Sequence, residues 1–170
     1  MVLGLSIGAF TLFHVVITLI AIGSGLIVVG GMFASNRLPD TTALFLLTTV
    51  LTSVTGFLFP IHGFTPALGV GIVSCVILAV ALFAYYGKHL TGAWRWIYVV
   101  TAIVSLYFNV FVLVIQSFIK VALLNALAPT QTNEPAFVIA QVLVLAFFVL
   151  IGIVATLKFH PLARAWSTAA

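Results

Sequence analysis

Six polar residues with ligand-binding chemistry lie within or beside long apolar stretches of this sequence: His14, His62, Asn109, Gln116, Lys120 and Gln141. A polar side chain inside a membrane-spanning helix needs a polar partner, so it is expected to face the interior of a helix bundle rather than lipid. Imidazole, amide and ammonium groups can hydrogen-bond a small molecule. No acid lies at a helical spacing from Lys120 to neutralise it. We therefore predict a small-ligand site built from these six residues, in which Lys120 favours an anion.

Helical spacing places polar residues on one face in two segments. The first set is separated by four, seven and four residues: Ser105, Asn109, Gln116 and Lys120. The second set is separated by three and four residues: Thr11, His14 and Thr18. If both faces point inward, they line one cavity that opens to the outside of the membrane. The structural alternative is that the amides bond across helices and the ammonium group reaches the lipid headgroups.

The histidines support a second hypothesis, in which the protein carries a redox centre. In number and placement, the four histidines resemble those of membrane b-type cytochromes, where haem irons are held between histidines on different helices. His14 and His62 lie near one membrane face, and His89 and His160 near the other. The resemblance implies a haem b or a metal ion between His14 and His62, which requires the two imidazole rings to reach a common centre.

The elements that must position these residues are predicted from composition and from the length of the apolar runs. Of the 170 residues, 64% are hydrophobic and 5% are charged, which is too little charge to cover the surface of a water-soluble fold. An apolar helix of about 20 residues crosses a bilayer, and helices satisfy their own backbone in lipid. We predict one all-α domain over residues 1–170, with five transmembrane helices near 5–34, 42–59, 66–86, 93–127 and 135–157.

The positions of the cations predict how the bundle is oriented. Five of the six follow helices one, three and five: Arg37, Lys88, Arg95, Lys158 and Arg164. Because Lys and Arg concentrate in cytoplasmic loops, the N-terminus is predicted outside and the C-terminus in the cytoplasm. The polar residues of the candidate site then lie in the outer half of the membrane. Aromatic residues are predicted to form an interfacial belt at the cytoplasmic end: Tyr85, Tyr86, Trp94, Trp96 and Tyr98.

The sequence carries no catalytic motif, so a binding or accessory role is favoured over catalysis. Its two acids, Asp40 and Glu134, lie on opposite membrane faces by the predicted topology, which argues against a paired-carboxylate site. Cys75 has neither a disulfide partner nor metal-ligand spacing. The formal net charge of +4 comes mainly from the cations that orient the chain, so nucleic acid is not an expected partner.

Small residues and an overall resemblance complete the expectations from sequence. Ala21 and Gly25 are four residues apart and predict that helix one packs closely at the centre of the bundle. Helices one to three, with the segments TGFLFPIHGFTP (55–66) and AWRWIY (93–98), resemble small uncharacterised multi-pass bacterial membrane proteins. The resemblance implies the bacterial inner membrane and contact with its lipid bilayer. A third hypothesis is a structural subunit of a homo-oligomer or larger membrane complex, which predicts a broad small-residue or aromatic face on the outside of the bundle.

Overall fold

The computed structural model describes residue 2 and residues 4–60, 66–130 and 134–161. Over these residues the regular structure is helical, apart from an isolated backbone bridge between Val2 and Leu5. The helices in chain order are α1 (Ile7–Phe33), α2 (Pro39–Phe57), α3 (Pro66–Leu82), a π-helical turn (Phe83–Gly87), α4 (Trp94–Lys120), α5 (Ala122–Leu127) and α6 (Pro135–Lys158). Five segments of this described part are long and apolar enough to cross a membrane: α1, α2, α3 with the π-helical turn, α4 and α6. The predicted all-α class and five spans are confirmed.

Local backbone chemistry moves two helix ends away from the predicted positions. α2 begins at Pro39 rather than at residue 42, because the preceding residue has a left-handed φ of 42° and proline suits the first helical turn. The fourth predicted run does not continue as one helix to residue 127. It breaks at Val121, whose backbone is extended, and the side-chain amide of Asn125 donates to the carbonyl group of Phe118 near the open end of α4. Lys120 is therefore the last residue of α4.

Four helices form a ring, and the fifth spanning helix packs on its outside. α1 contacts α2, α2 contacts α3, α3 contacts α4, and α4 closes the ring on α1. α6 lies against α4 and α1 and leaves most of its apolar surface exposed, which is compatible with contact to a lipid bilayer. Helix one was predicted to be central, and it shares that place with α4, since these two spans are the most buried of the five. α4 contacts each of the other spanning helices, because it lies between the ring and α6 and also reaches α2 across the ring.

Large side chains fill the half of the ring that contains the C-terminal end of α1. They occupy inward positions spaced by three and four residues, as in other helix bundles. The core of this half contains Val28, Met32, Phe45, Leu78, Tyr85, Tyr98 and Leu106. Tyr85 and Tyr98 are 4% and 1% exposed, and their ring centroids are 5.1 Å apart. The predicted interfacial belt was therefore wrong for these two residues, which are core residues, whereas Tyr86 and Trp96 are exposed.

The same end of the bundle carries the loop cations that the structure describes: Arg37, Lys88, Arg95 and Lys158. Three hydrogen bonds tie the C-terminal end of α6 and the two residues after it to the ring, one of them from the His160 backbone N–H to the Ser35 hydroxyl oxygen at 2.7 Å. Arg95 donates to the carbonyl group of Phe159, and the Ser35 hydroxyl donates to the carbonyl group of Lys158 at 2.8 Å. Arg164 lies outside the described residues. Which end faces the cytoplasm stays a prediction.

Candidate functional site

A cleft of about 640 Å³ occupies the other half of the ring, where the N-terminal half of α1 faces α2, α3 and α4. All four helices contribute polar lining side chains: Thr11, His14, Thr18, Thr52, Ser53, Ser74, Asn109, Gln116 and Lys120. Apolar side chains lie between them, including Val15, Phe57, Phe59, Leu68, Phe108 and Val112. Small-molecule sites have volumes of about 300–1,000 Å³, so the cleft is large enough to hold one.

The structure brings four of the six predicted site residues to this cleft: His14, Asn109, Gln116 and Lys120. Gln141 lies elsewhere, because its amide donates to the carbonyl group of Phe111 at 3.3 Å and so joins α6 to α4. His62 lies outside the described residues, and its place in the site stays a prediction. The helical spacing in the sequence therefore identified the residues of α1 and α4 that line the cleft. Gln141 does not join them, because α6 packs outside the ring.

Gly25 marks the level at which the ring closes below the cleft. A methyl group added at Gly25 would lie 2.7 Å from Cδ1 of Leu106 and 2.9 Å from two ring carbons of Phe45. Leu106 and Phe45 are each 1% exposed. α1, α2 and α4 therefore meet at this level, which we call the floor. At its other end the cleft reaches the exposed residues Pro60 and Lys120, which we call the mouth.

The depth of each cleft residue follows from its distance along the helix above the floor, at about 1.5 Å per residue. Asn109 lies three residues above the floor on α4, and its amide nitrogen donates to the hydroxyl oxygen of Thr49 on α2 at 3.4 Å. Gln116 lies ten residues above the floor on α4, and His14 eleven residues above it on α1. These two side chains are therefore at one level, about 15–17 Å from the floor. Lys120 follows one turn further toward the mouth.

Two neighbours hold the His14 ring on the wall of the cleft. Its Nδ1 lies 2.7 Å from Oγ1 of Thr55, and its ring packs edge-on against Phe59 with centroids 5.3 Å apart. The Thr55 hydroxyl also donates to the carbonyl group of Leu51 at 2.7 Å, and a hydroxyl has one proton to donate. If Thr55 keeps its bond to Leu51, it accepts the Nδ1–H of His14; the direction of this hydrogen bond depends on the tautomer of the ring. Nε2 is then the ring nitrogen without a hydrogen bond among the described residues, and it is the atom left to meet a ligand.

Gln116 and Lys120 lie one turn apart on α4, and both are exposed. An ammonium group near a helix C-terminus interacts favourably with the helix dipole, so Lys120 also stabilises α4 without any ligand. No acidic side chain lines the described part of the cleft. His14, Gln116 and Lys120, which we call the mouth group, therefore offer hydrogen-bonding nitrogens and one fixed positive charge.

One hydroxyl near the floor differs from its neighbours in its hydrogen bonding. The hydroxyls of Thr18 and Thr49 donate to the carbonyl groups four residues earlier, which is the usual arrangement in helices. Ser105 is 1% exposed, and its hydroxyl has no partner among the described residues. Asn109, one turn above Ser105 on the same face of α4, is 7% exposed. The described structure gives Asn109 one side-chain hydrogen bond, to Thr49, which leaves its carbonyl oxygen and its second N–H without a partner.

Thr55 and Phe59 are site residues that the sequence did not predict as partners of His14. The available signal was the spacing of residues at the end of α2 and just beyond it. Thr52 and Gly56 lie on one face of α2, Phe59 follows two residues after its end, and all three line the cleft. Because this segment carries a small residue and an aromatic ring rather than strongly polar groups, it resembles an ordinary packing surface.

Metal binding at His14 is not supported by its described surroundings. Among the described residues, no three His, Cys, Asp or Glu side chains lie close enough together to hold a metal ion. The second ligand of the redox hypothesis, His62, is outside those residues. A haem b or a metal ion between His14 and His62 stays a prediction.

Comparison of the chain with known protein families, with curated proteins and with solved structures finds no match. The function of the cleft is therefore inferred from its own side chains.

Proposed function

We propose that this chain is a multi-pass protein of the bacterial inner membrane that binds a small organic anion in the cleft, with the mouth toward the outside. The mouth group carries the proposal, because an imidazole, an amide and an ammonium group line one end of a single cavity. Charge-assisted hydrogen bonds from such nitrogens to an oxyanion are stronger than neutral ones. No acid among the described lining residues competes for Lys120.

Each member of the mouth group has a distinct part in this proposal. Lys120 supplies the charge, and Gln116 supplies an amide N–H one turn away. His14 acts through Nε2, because Nδ1 is engaged by Thr55. When the ring is neutral, Nε2 accepts a hydrogen bond from a ligand O–H or N–H group. When the ring carries a second proton, Nε2 donates to the anion.

The lower cleft supports an organic anion rather than a bare inorganic one. Phe108 and Val112 line it between the mouth group and the floor, together with Thr18, whose hydroxyl already donates to the backbone carbonyl of His14. An apolar ligand body in this space gains about 0.8 kcal/mol for each methylene group removed from water. The outward direction of the mouth follows from the positive-inside rule, because the described loop cations lie at the opposite end of the bundle.

The test is binding of sodium octanoate to the protein in lipid nanodiscs, measured by isothermal titration calorimetry with empty nanodiscs as the blank. Octylammonium, which has the same tail and the opposite charge, is the matched ligand control. We expect saturable binding of octanoate only. Lys120→Gln should weaken that binding by about tenfold, which is about 1.4 kcal/mol. Lys88→Gln, at the opposite end of the bundle, should leave it unchanged.

Two results would contradict the proposal. One is equal binding of octanoate and octylammonium, which would indicate partition into lipid or a site without charge preference. The other is an octanoate affinity that Lys120→Gln leaves unchanged, since the charge that carries the proposal would then have no role.

A further inference from the structure

Asn109 lines the cleft three residues above the floor and keeps unused hydrogen-bonding capacity. Among the described residues its side chain has one hydrogen bond, to Thr49, so its carbonyl oxygen and second N–H have no partner there. Asn109 is 7% exposed. A largely buried polar group without a hydrogen bond lowers stability, so native proteins normally provide it with a partner. The buried hydroxyl of Ser105, one turn below Asn109, also has no partner among the described residues, but Ser105 lies below the floor and does not line the cleft.

The chemistry of the floor determines what kind of group can satisfy it. The side-chain amide of Asn109 can both donate and accept, and it carries no charge. The nearest hydroxyl on α2, that of Thr49, already donates to the carbonyl group of Phe45 and can only accept. A charged group at this depth would lose its hydration without meeting an opposite charge among the described lining residues. The floor therefore suits an uncharged group that both donates and accepts, such as a hydroxyl.

The distance between the floor and the mouth group sets the length of a ligand that reaches both. Gln116 is seven residues above Asn109 on the same helix face, which is about 10 Å. Apolar side chains, among them Phe108 and Val112, line the space between them. The cleft thus has a polar group at each end and an apolar middle.

We infer that the ligand of this cleft is a bipolar amphiphile: an anionic group at Lys120 and Gln116, an apolar body, and an uncharged hydroxyl-like group hydrogen-bonded by Asn109. The inference rests on the proposed function and specifies its ligand class. An ω-hydroxy carboxylate with an extended body of about eight carbons is a simple molecule of this kind.

Three probes with the same chain length test the inference: octanoate, 8-hydroxyoctanoate and octanedioate. In the nanodisc assay, 8-hydroxyoctanoate should bind about three- to tenfold more tightly than octanoate, the ratio that corresponds to one neutral hydrogen bond. Octanedioate should bind more weakly than 8-hydroxyoctanoate, because its second carboxylate would be buried at the floor without a counter-charge.

Single-residue variants then show which side chain causes the preference for 8-hydroxyoctanoate over octanoate. Asn109→Leu should abolish the preference for 8-hydroxyoctanoate over octanoate, because Asn109 is the residue that bonds the hydroxyl end of the probe. Ser105→Ala removes a buried hydroxyl that does not line the cleft, so it should leave this preference unchanged. Ser117→Ala is the matched control on α4, because the hydroxyl of Ser117 donates to its own backbone at Leu113. It should leave both affinities unchanged. Elution from a size-exclusion column establishes that each variant is folded.

The outcomes separate this inference from the proposed function. If octanoate binds with a Lys120-dependent affinity and the hydroxyl adds nothing, the floor holds only water, and the inference fails while the proposed function stands. A hydroxyl preference that survives in Asn109→Leu would also overturn the inference. If octanoate binding does not depend on Lys120, the proposed function fails and the inference fails with it.

Discussion

Replacing Gly25 by alanine tests the place where three helices meet at the floor of the cleft. The added Cβ would lie 2.7 Å from Cδ1 of Leu106 and 2.9 Å from Cδ2 and Cε2 of Phe45. Carbon atoms in contact are normally about 3.5–4.0 Å apart, so the neighbours must move by roughly 1 Å. The methyl group of Leu106 can rotate, but the Phe45 ring is 1% exposed and moves only if α2 shifts.

Overpacking of this kind costs about 1–3 kcal/mol of stability. For a chain of this length, 1 kcal/mol corresponds to about 2–4 °C in the thermal midpoint. We therefore expect Gly25→Ala to lower the midpoint by roughly 2–12 °C. The measurement is thermal unfolding in detergent micelles, followed by the helical circular dichroism signal.

Gly23 provides the matched control, because a Cβ at Gly23 has no neighbour within 4 Å. Gly23→Ala should leave the midpoint unchanged or raise it slightly, since alanine favours a helix more than glycine does. Leu106→Val removes the nearest clashing methyl group and should recover part of the loss in the Gly25→Ala background. Equal midpoints for Gly25→Ala and Gly23→Ala would refute the reasoning, because α1, α2 and α4 would then not meet at Gly25.

Two further predictions concern the mouth and the orientation of the chain. Thr55→Val removes the hydroxyl that holds His14 and keeps the side-chain shape, so octanoate affinity should fall about threefold with little change in thermal midpoint, as calorimetry would measure. An unchanged affinity would show that the orientation of His14 does not matter. In a Cys75→Ala background, a membrane-impermeant maleimide should label Thr130→Cys in intact cells and Asn36→Cys only after permeabilisation, because positive loops stay cytoplasmic. The reverse labelling pattern would invert the predicted topology.

The five spans were predictable because the bilayer imposes a length and a composition on every crossing segment. The ends of two helices were not, because they depend on contacts that composition does not encode. The break after Lys120 is accompanied by a hydrogen bond from Asn125 back to Phe118, seven residues earlier. In the same way, Tyr98 is buried because it packs against Tyr85 from another segment. The sequence does not reveal this contact, so a tyrosine near a helix end was predicted to lie at the membrane interface.

The candidate site was predictable in part because helical periodicity is a local property. Spacings of four and seven residues place Asn109, Gln116 and Lys120 on one face whatever the rest of the fold does. The partner of His14 could not be predicted, because Thr55 is 41 residues away and belongs to another helix. Gln141 was grouped with the site because the sequence does not reveal that α6 packs outside the ring.

The packed half of the ring turns the cleft into a blind-ended compartment. Below the floor, described side chains such as Phe45, Leu106 and Tyr98 are buried and fill the ring between the cleft and the cationic end of the bundle. This packing separates a solute in the cleft from the cationic end, so in a bilayer its occupancy would follow the concentration on the mouth side. A concentration gradient across the bilayer therefore cannot drive a solute through a cleft that is closed at the floor. This arrangement suits capture, storage or hand-over of a molecule on one face, and net transport would require the floor to open.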